Sequence, residues 1–175
     1  MRAFLDFEAS SLSKKSFPVE VAWIFEDGRS ASHLIRPAAD WTDWSADAER
    51  IHGLSRARLE AEGTPIDTLG RDMTETLTGH QLYASAPSWD GKWLSTLLRG
   101  AGLPRHALRL GKSDDAFIET ARQILGDTAD IPAFVARIIQ ATEPVTPAHR
   151  ALPDATLELE RFKRVQSEAK VLAGR

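Results

Sequence analysis

The sequence predicts an α/β protein: a central mixed five-stranded sheet that opens as an antiparallel meander and is flanked by helices. Three observations predict it. Residues 2–7 (RAFLDF), 19–26 (VEVAWIFE) and 32–35 (SHLI) are short apolar-rich segments, and in the second Val19, Val21, Trp23 and Phe25 share one face by the strand period of two. Asp27-Gly28 is a tight-turn dipeptide between the second and third of them. Beyond residue 45 the apolar spacing becomes three and four, interrupted only by two short strand-like runs, so the order reads βββ–α–β–α–β–α.

Each element after the meander carries its own signal. Ser45 precedes Asp47 and Glu49, a cap with acids in the first turn, and Gly53 offers a stop. Pro65 opens a longer helix with Ile66, Leu69, Met73 and Leu77 on one side and Gly79 just beyond. Residues 81–85 (QLYAS) form a buried-strand candidate. Residues 90–98 (DGKWLSTLL) form a helix with Trp93, Leu94, Leu97 and Leu98 inward, ended by Gly100 and Gly102. Residues 108–110 supply the last strand. Helices over about 114–125 and 131–142 are separated by Gly126 and closed by Pro144 and Pro147. A long amphipathic helix over about 154–172 places Ala155, Leu159, Phe162, Val165 and Ala169 on its apolar stripe.

The 175 residues suit one domain spanning 1–175, with no repeat or linker. The absence of cysteine excludes disulfides, thiolate catalysis, Cys-ligated zinc and iron–sulfur clusters, so any metal must be held by carboxylates, histidines and water. No apolar run approaches the roughly 20 residues needed to cross a bilayer, and the N-terminus meets a charge before a signal-type stretch forms; the expectation is a soluble, cytoplasmic protein with no membrane partner. Twenty-two Lys and Arg against 25 Asp and Glu give a net charge of −3, which argues against binding nucleic acid by bulk positive charge. An enzyme that grips a few nucleotides through metal ions remains compatible with it.

Acids recur where this architecture converges on one edge of the sheet. Asp6 and Glu8, two apart at the end of the first strand, point to the same face. Asp90 follows the buried strand, and His149 and Asp154 lie five apart at the start of the last helix. Hard divalent cations such as Mg²⁺ or Mn²⁺ take oxygen ligands of this type, and two of them about 4 Å apart suit phosphodiester hydrolysis. An imidazole, neutral above about pH 6.5, can accept the proton of the attacking water. Carboxylates about 5 Å apart repel by roughly 3 kcal/mol per pair at an effective dielectric of 20, so convergence is tolerable only where cations compensate it. Taken singly, each residue has a plainer reading: Asp90 as a helix cap, His149 as a loop residue, Asp154 as an acid complementing a helix dipole.

Taken together, DFE (Asp6, Glu8), WD (Asp90) and HRALPDA (His149, Asp154) resemble the DEDDh 3′→5′ exonucleases, a group that includes proofreading subunits, oligoribonuclease and ribonuclease T. FLDFEASSL, RIHGLS and HRALPDATLELERF spread the likeness over nearly the whole chain. The resemblance implies a ribonuclease H-like fold, with Asp6 bridging two divalent cations, Mg²⁺ or Mn²⁺. Glu8 and Asp154 would complete one ion site, Asp90 would act on the second, and His149 would be the general base. It further implies Ala9 and Ser10 against the terminal nucleotide, Leu12 as an apolar wedge beneath the last base, and His52 lining the same pocket. Nucleoside 5′-monophosphates would be released from single-stranded DNA or RNA 3′ ends. Some relatives are dimers, which leaves a homodimer open.

The chain departs from the family pattern in three places, one of them Pro153, immediately before Asp154, where Asp or another polar residue is common. Ala9-Ser10-Ser11 stands where Thr-Thr-Gly or Thr-Gly is common, stiffening the backbone near the nucleotide. Ala86-Pro87-Ser88-Trp89-Asp90 stands where an Asn usually begins the second motif. These departures motivate the alternative of a nucleic-acid-binding or regulatory module with the same fold and little activity; a ribonuclease H-like endonuclease is a third reading. Of the tryptophans, Trp23 and Trp93 read as core, Trp41 and Trp44 as a loop plug or base-stacking pair, and Trp89 as a support for Asp90. Lys14 and Lys15 read as a solvated turn or phosphate contacts. The alternation of Arg161, Lys163, Arg164 and Lys170 with Glu158, Glu160 and Glu168 reads as surface ion pairing.

Overall fold

The computed structural model describes residues 1–126 and 130–174. Its elements are β1 (Arg2–Ala9), β2 (Pro18–Phe25), β3 (Ser30–Leu34), α1 (Ala46–His52), α2 (Arg56–Glu62), α3 (Ile66–Leu77), β4 (Gln81–Ala84), α4 (Pro87–Gly100), β5 (Leu110–Lys112), α5 (Ser113–Leu125), α6 (Ile131–Ala141) and α7 (Ala151–Leu172). The strands form one open sheet in the order β3-β2-β1-β4-β5. The first three pair antiparallel; β4 and β5 join parallel to β1 through helical crossovers. Gly28 in the β2–β3 turn has φ 92°, a conformation that only glycine adopts without strain.

Strand periodicity divides the core in two. One face of β1 and β2 presents Ala3, Leu5, Phe7, Val21, Trp23 and Phe25 to Leu69, Met73 and Leu77 of α3 and Leu94, Leu97 and Leu98 of α4. The other presents Phe4 and Ile24 to α5, α6 and α7. There Phe4 lies 5.5 Å from Phe162 and 6.2 Å from Phe117, ring centre to ring centre. Burying each such ring contributes about 1.5–3 kcal/mol. A third cluster packs Phe17, Val19, Leu54 and Leu59 under the loop after β3.

The expected elements are present, with shifted bounds. β5 begins at Leu110 rather than 108, because Leu108 is a buried plug on the α3/α4 side and Leu110 is the first residue to pair with β4. α2, capped by Ser55, was not expected: it buries only Leu59, so it carries little apolar periodicity. α4 starts at Pro87 and α7 at Ala151, each three residues before the acid thought to open it. In both, the proline sits in the first turn, where its missing N–H has no helical partner to lose.

Candidate active site

Asp6 and Glu8 lie on the same β1 face as Phe4, where the sheet emerges from its apolar core. In register, Asp6 sits opposite Ala22 and Glu8 opposite Glu20. The fully buried Ala151 and Ala155 let α7 approach this face closely. The approach brings Asp154, in the first turn of α7, to Asp6 and Glu8: each of the three offers a carboxylate oxygen, and these atoms lie within 4.8 Å of one another. Asp90, 3% exposed, stands outside that trio in the first turn of α4. Its carboxylate accepts from the backbone N–H of Ala86 at 3.3 Å and is also held by the amide of Phe7, at the end of β1.

Burial dominates the electrostatics of all four acids. It pushes Asp6 well above the usual carboxylate range, with the charges of Asp90, Glu8, Asp154 and Glu158 adding to it. Glu8 is pushed up to about 7, by burial first and by Asp154 and Glu20 next, against the opposing charge of Arg150. Asp90 is pushed up to about 7 by burial, although backbone amides favour its ionised form. Asp154 is raised by burial and eased by His149. Among the described residues none of these four carboxylates has a cationic partner in an ion pair; Arg150, whose charge reaches Glu8, is committed to Glu20, and Arg161, which lines the same cavity as Asp6 and Asp154, is committed to Glu158 and Glu143. Buried anions in this state need either protons or cations. The all-oxygen donor set fits Mg²⁺ or Mn²⁺.

His149 lies on the exposed segment before α7 with φ 50°, a left-handed conformation unusual for a side-chain-bearing residue. It lines a cavity of about 240 Å³ together with Asp6, Ser85, Asp154 and Glu158. The segment is clamped from behind. Glu20, 2% exposed, accepts from Arg150 Nε at 2.9 Å, from Arg150 Nη2 at 2.6 Å and from the Ala151 N–H at 3.0 Å. One buried carboxylate thus caps α7 and fixes the residue following His149.

The other expected contacts sort themselves by exposure. Leu12 is 74% exposed and faces a cleft of about 460 Å³ shared with Lys14, Ser88, Trp89 and Lys92. Ala9 is buried beside the site. Ser10 is fully buried and its hydroxyl is used within the loop, accepting from the Phe17 N–H at 3.1 Å and donating to Asp43 at 3.4 Å. Ser11 and Ser13 donate to the same carboxylate, so three serines anchor the loop to Asp43. These hydrogen bonds, Ser11's foremost, hold Asp43 below the usual carboxylate range. His52 is buried under Ala9: its Nδ1 accepts from the Leu54 N–H at 3.0 Å, and its Nε2 turns toward the Ala9 backbone without a well-formed hydrogen bond. Burial pushes its pKa down.

Two expectations need correction. Trp89 does not brace Asp90; with α4 beginning at Pro87, it points outward, 38% exposed, and stacks on Trp93 at 5.6 Å. Of the two readings of Trp41 and Trp44 the structure bears out the loop plug: they cover Phe17, at 5.2 and 6.3 Å. Glu158 and Arg161 are not a surface pair: they are 5% and 8% exposed, and Arg161 also bonds Glu143 and Thr142 at the rim of the His149 cavity. Glu158 is a fifth carboxylate of the site, signalled by its spacing of four from Asp154 on one helix face. Glu20 was hidden inside an alternating strand and had no signal of its own.

No protein-family model and no curated protein sequence matches the chain. Its fold, however, is shared with solved exonuclease I structures. Zinc-bound E. coli exonuclease I in complex with single-stranded DNA superimposes with a TM-score of 0.70 at 16% identity, over 95% of this chain and 40% of that one. The E. coli enzyme with a dT13 oligonucleotide gives 0.69 at 15% identity, over 98% and 42%. Exonuclease I from Methylocaldum szegediense gives 0.68 at 15% identity, over 95% and 41%. The chain therefore spans about two-fifths of these proteins' length, and what it shares with them is the fold, the mixed five-stranded sheet with its flanking helices. Among the described residues no helix is long and apolar enough to cross a membrane.

Proposed function

We propose that this protein is a divalent-metal-dependent 3′→5′ exonuclease acting on single-stranded nucleic acid. The observation that carries the reading is the uncompensated trio of Asp6, Glu8 and Asp154, with Asp90 behind it and His149 opening onto the same cavity. It stands on a fold shared with nucleases whose structures hold single-stranded DNA.

Asp6, Glu8 and Asp154 would hold one divalent cation, and Asp6 with Asp90 a second. When bound, the cations supply Lewis acidity at the scissile phosphate and offset the charge on the leaving 3′ oxygen. The chain's own groups do the rest. Burial keeps the carboxylates from being solvated individually, so their affinity is directed to a hard cation rather than to water. His149 accepts the proton of the attacking water, and Asp154 beside it stabilises the imidazolium that results. The Glu20–Arg150 clamp holds that imidazole at the mouth of the cavity. Leu12 and the buried Ala9 form the wall against which the terminal nucleotide would lie. Turnover releases a nucleoside 5′-monophosphate.

The test is a denaturing gel of 5′-labelled single-stranded DNA and RNA with Mn²⁺, Mg²⁺ or EDTA, with His149→Ala protein alongside. The expected result is a metal-dependent ladder shrinking from the 3′ end, slowed about 10²–10⁴-fold in the variant, as removal of a general base predicts. Calorimetric Mn²⁺ binding should be unchanged in that variant. Internal fragments would assign an endonuclease instead. Binding without shortening would assign a binding module, and full activity in the variant would remove His149 from its role.

A further inference from the structure

A second surface feature lies beside the site, on the far side of Trp89. A groove of about 440 Å³ runs between the outer side of α4 and the segment leading into β5. Its polar lining is Ser88, Lys92 and Ser95 from the helix and Arg105, His106 and Arg109 from the segment; no carboxylate lines it. This is exceptional in a chain with a net charge of −3. The arginines of α1, α2, α3, α6 and α7 all pair with carboxylates. Arg105 and Arg109 are exposed and, among the described residues, have no such partner. Arg105 Nε instead donates to His106 Nε2 at 2.9 Å, aligning two groups of the same patch.

The groove is continuous with the Leu12 cleft. Ser88 and Lys92 line both it and the cleft that holds Leu12, Lys14 and Trp89. Lys92 sits 5.2 Å from the Trp89 ring centre, and its ammonium donates to Ser13 O at 2.6 Å and Ser16 Oγ at 2.8 Å, which fixes it at the junction. Four cations, Lys14, Lys92, Arg105 and Arg109, therefore line the two joined depressions, with the exposed indole of Trp89 beside Lys92.

We propose that this groove is a phosphate-binding track for the 5′-ward part of the single strand whose 3′ end occupies the carboxylate site. The occupant is a polyanion with regularly spaced phosphates, and charge complementarity and continuity with the Leu12 cleft select it. The inference rests on the exonuclease reading, and its test separates the two. Guanidinium groups engage phosphate oxygens in pairs, and each phosphate neutralised on a single strand contributes about 0.7 to the slope of log affinity against log salt.

The experiment compares wild-type protein with Arg105→Glu/Arg109→Glu and Arg105→Lys/Arg109→Lys variants, on dT2 and dT12 with Mn²⁺. The expected result for the glutamate variant is a KM for dT12 raised about tenfold, with kcat and all dT2 kinetics unchanged. Its salt slope should fall by about 1.4, the lysine variant keeping most of the affinity. An unchanged dT12 KM, or an equal loss on dT2 and dT12, overturns the track. If the wild-type protein shortens neither substrate, the exonuclease reading fails by itself. Anisotropy of labelled dT12 in EDTA then decides the track: weaker binding by the glutamate variant upholds it, and equal binding overturns it.

Discussion

Two glutamates, Glu20 buried and Glu8 half-buried, sit opposite each other on adjacent strands and are treated in opposite ways. Glu20 on β2 receives a bidentate guanidinium from Arg150 and the amide of Ala151. Glu8, its register partner on β1, has no cation in contact and shares its surroundings with Asp6 and Asp154. Arg150 lowers the pKa of Glu8 from a distance, yet burial and the neighbouring acids still carry it to about 7. One carboxylate is compensated by the chain and serves as a structural clamp; the other is left for an outside charge. The difference distinguishes a device for positioning from a device for binding, built from the same residue type one strand apart.

The comparison can be broken most forcefully at Asp6, which belongs to the uncompensated side alone. Asp6→Asn should abolish Mn²⁺ binding by calorimetry and cut turnover by about 10³-fold or more, a barrier increase of about 4 kcal/mol. The same substitution removes a repelling charge, so the metal-free protein should melt at a higher temperature than wild type. A variant that loses activity while binding Mn²⁺ normally would move Asp6 out of the metal site.

Titration sharpens the contrast without any substitution. A carboxyl whose folded pKa exceeds its unfolded value binds its proton more tightly in the folded chain. Its stabilising contribution is fully present below the unfolded value, about 4 for Asp90 and Glu8, and is lost as the pH rises through about 7. Metal-free protein should therefore lose stability between about pH 4 and pH 7, of the order of 3 kcal/mol for a shift of this size. Mn²⁺ should flatten that decline, because it binds the ionised acids of the folded state. Urea unfolding across this window, with and without Mn²⁺, reads both; a pH-independent midpoint in EDTA would show that the four acids are not electrostatically strained.

The compensated side should respond more mildly. Arg150→Ala leaves Glu20 buried and unpaired. Loss of one partner of a fully buried pair costs about 3–5 kcal/mol, but the Arg150 side chain is 40% exposed, so about 2 kcal/mol is expected. Because Arg150 follows His149, kcat should fall while Mn²⁺ affinity holds. Arg150→Lys should recover part of the stability and less of the rate, since an ammonium cannot reproduce the two-point contact. Loss of metal affinity in step with rate would instead place Arg150 in the binding set.

How much of this was legible in the sequence follows from which physical signal each part leaves. The meander was legible because Val19, Val21, Trp23 and Phe25 fall on one face of β2 and Asp27-Gly28 closes the hairpin. Asp6 and Glu8 were legible because a period of two fixes their common face whatever the rest of the fold does. The convergence of Asp154 on them was carried by the ordered motif, not by composition, since nothing local says where α7 crosses the sheet. Trp89 was misplaced because α4 was taken to start at Asp90, which left Trp89 as a loop residue before it; the inward face expected beyond that point, Trp93, Leu94, Leu97 and Leu98, is the one the helix buries. Glu158 and Arg161 have the spacing of a surface pair, and only the tertiary crossing buries them. The clamp at Glu20 joins residues 130 apart in sequence, and no local pattern encodes such a pairing.

Ser16 connects the loop after β1 to α4 through a single hydroxyl. Its Oγ accepts from Lys92 Nζ at 2.8 Å and from the buried Trp93 Nε1 at 3.0 Å, while donating to Ser13 O at 2.9 Å. One atom therefore ties the segment that follows the two β1 carboxylates to the helix that carries Asp90. In mechanical terms, the two halves of the acid site are cross-braced: the loop cannot breathe without tugging the helix, and the spacing between Glu8 and Asp90 behaves as a rigid gauge rather than an adjustable jaw.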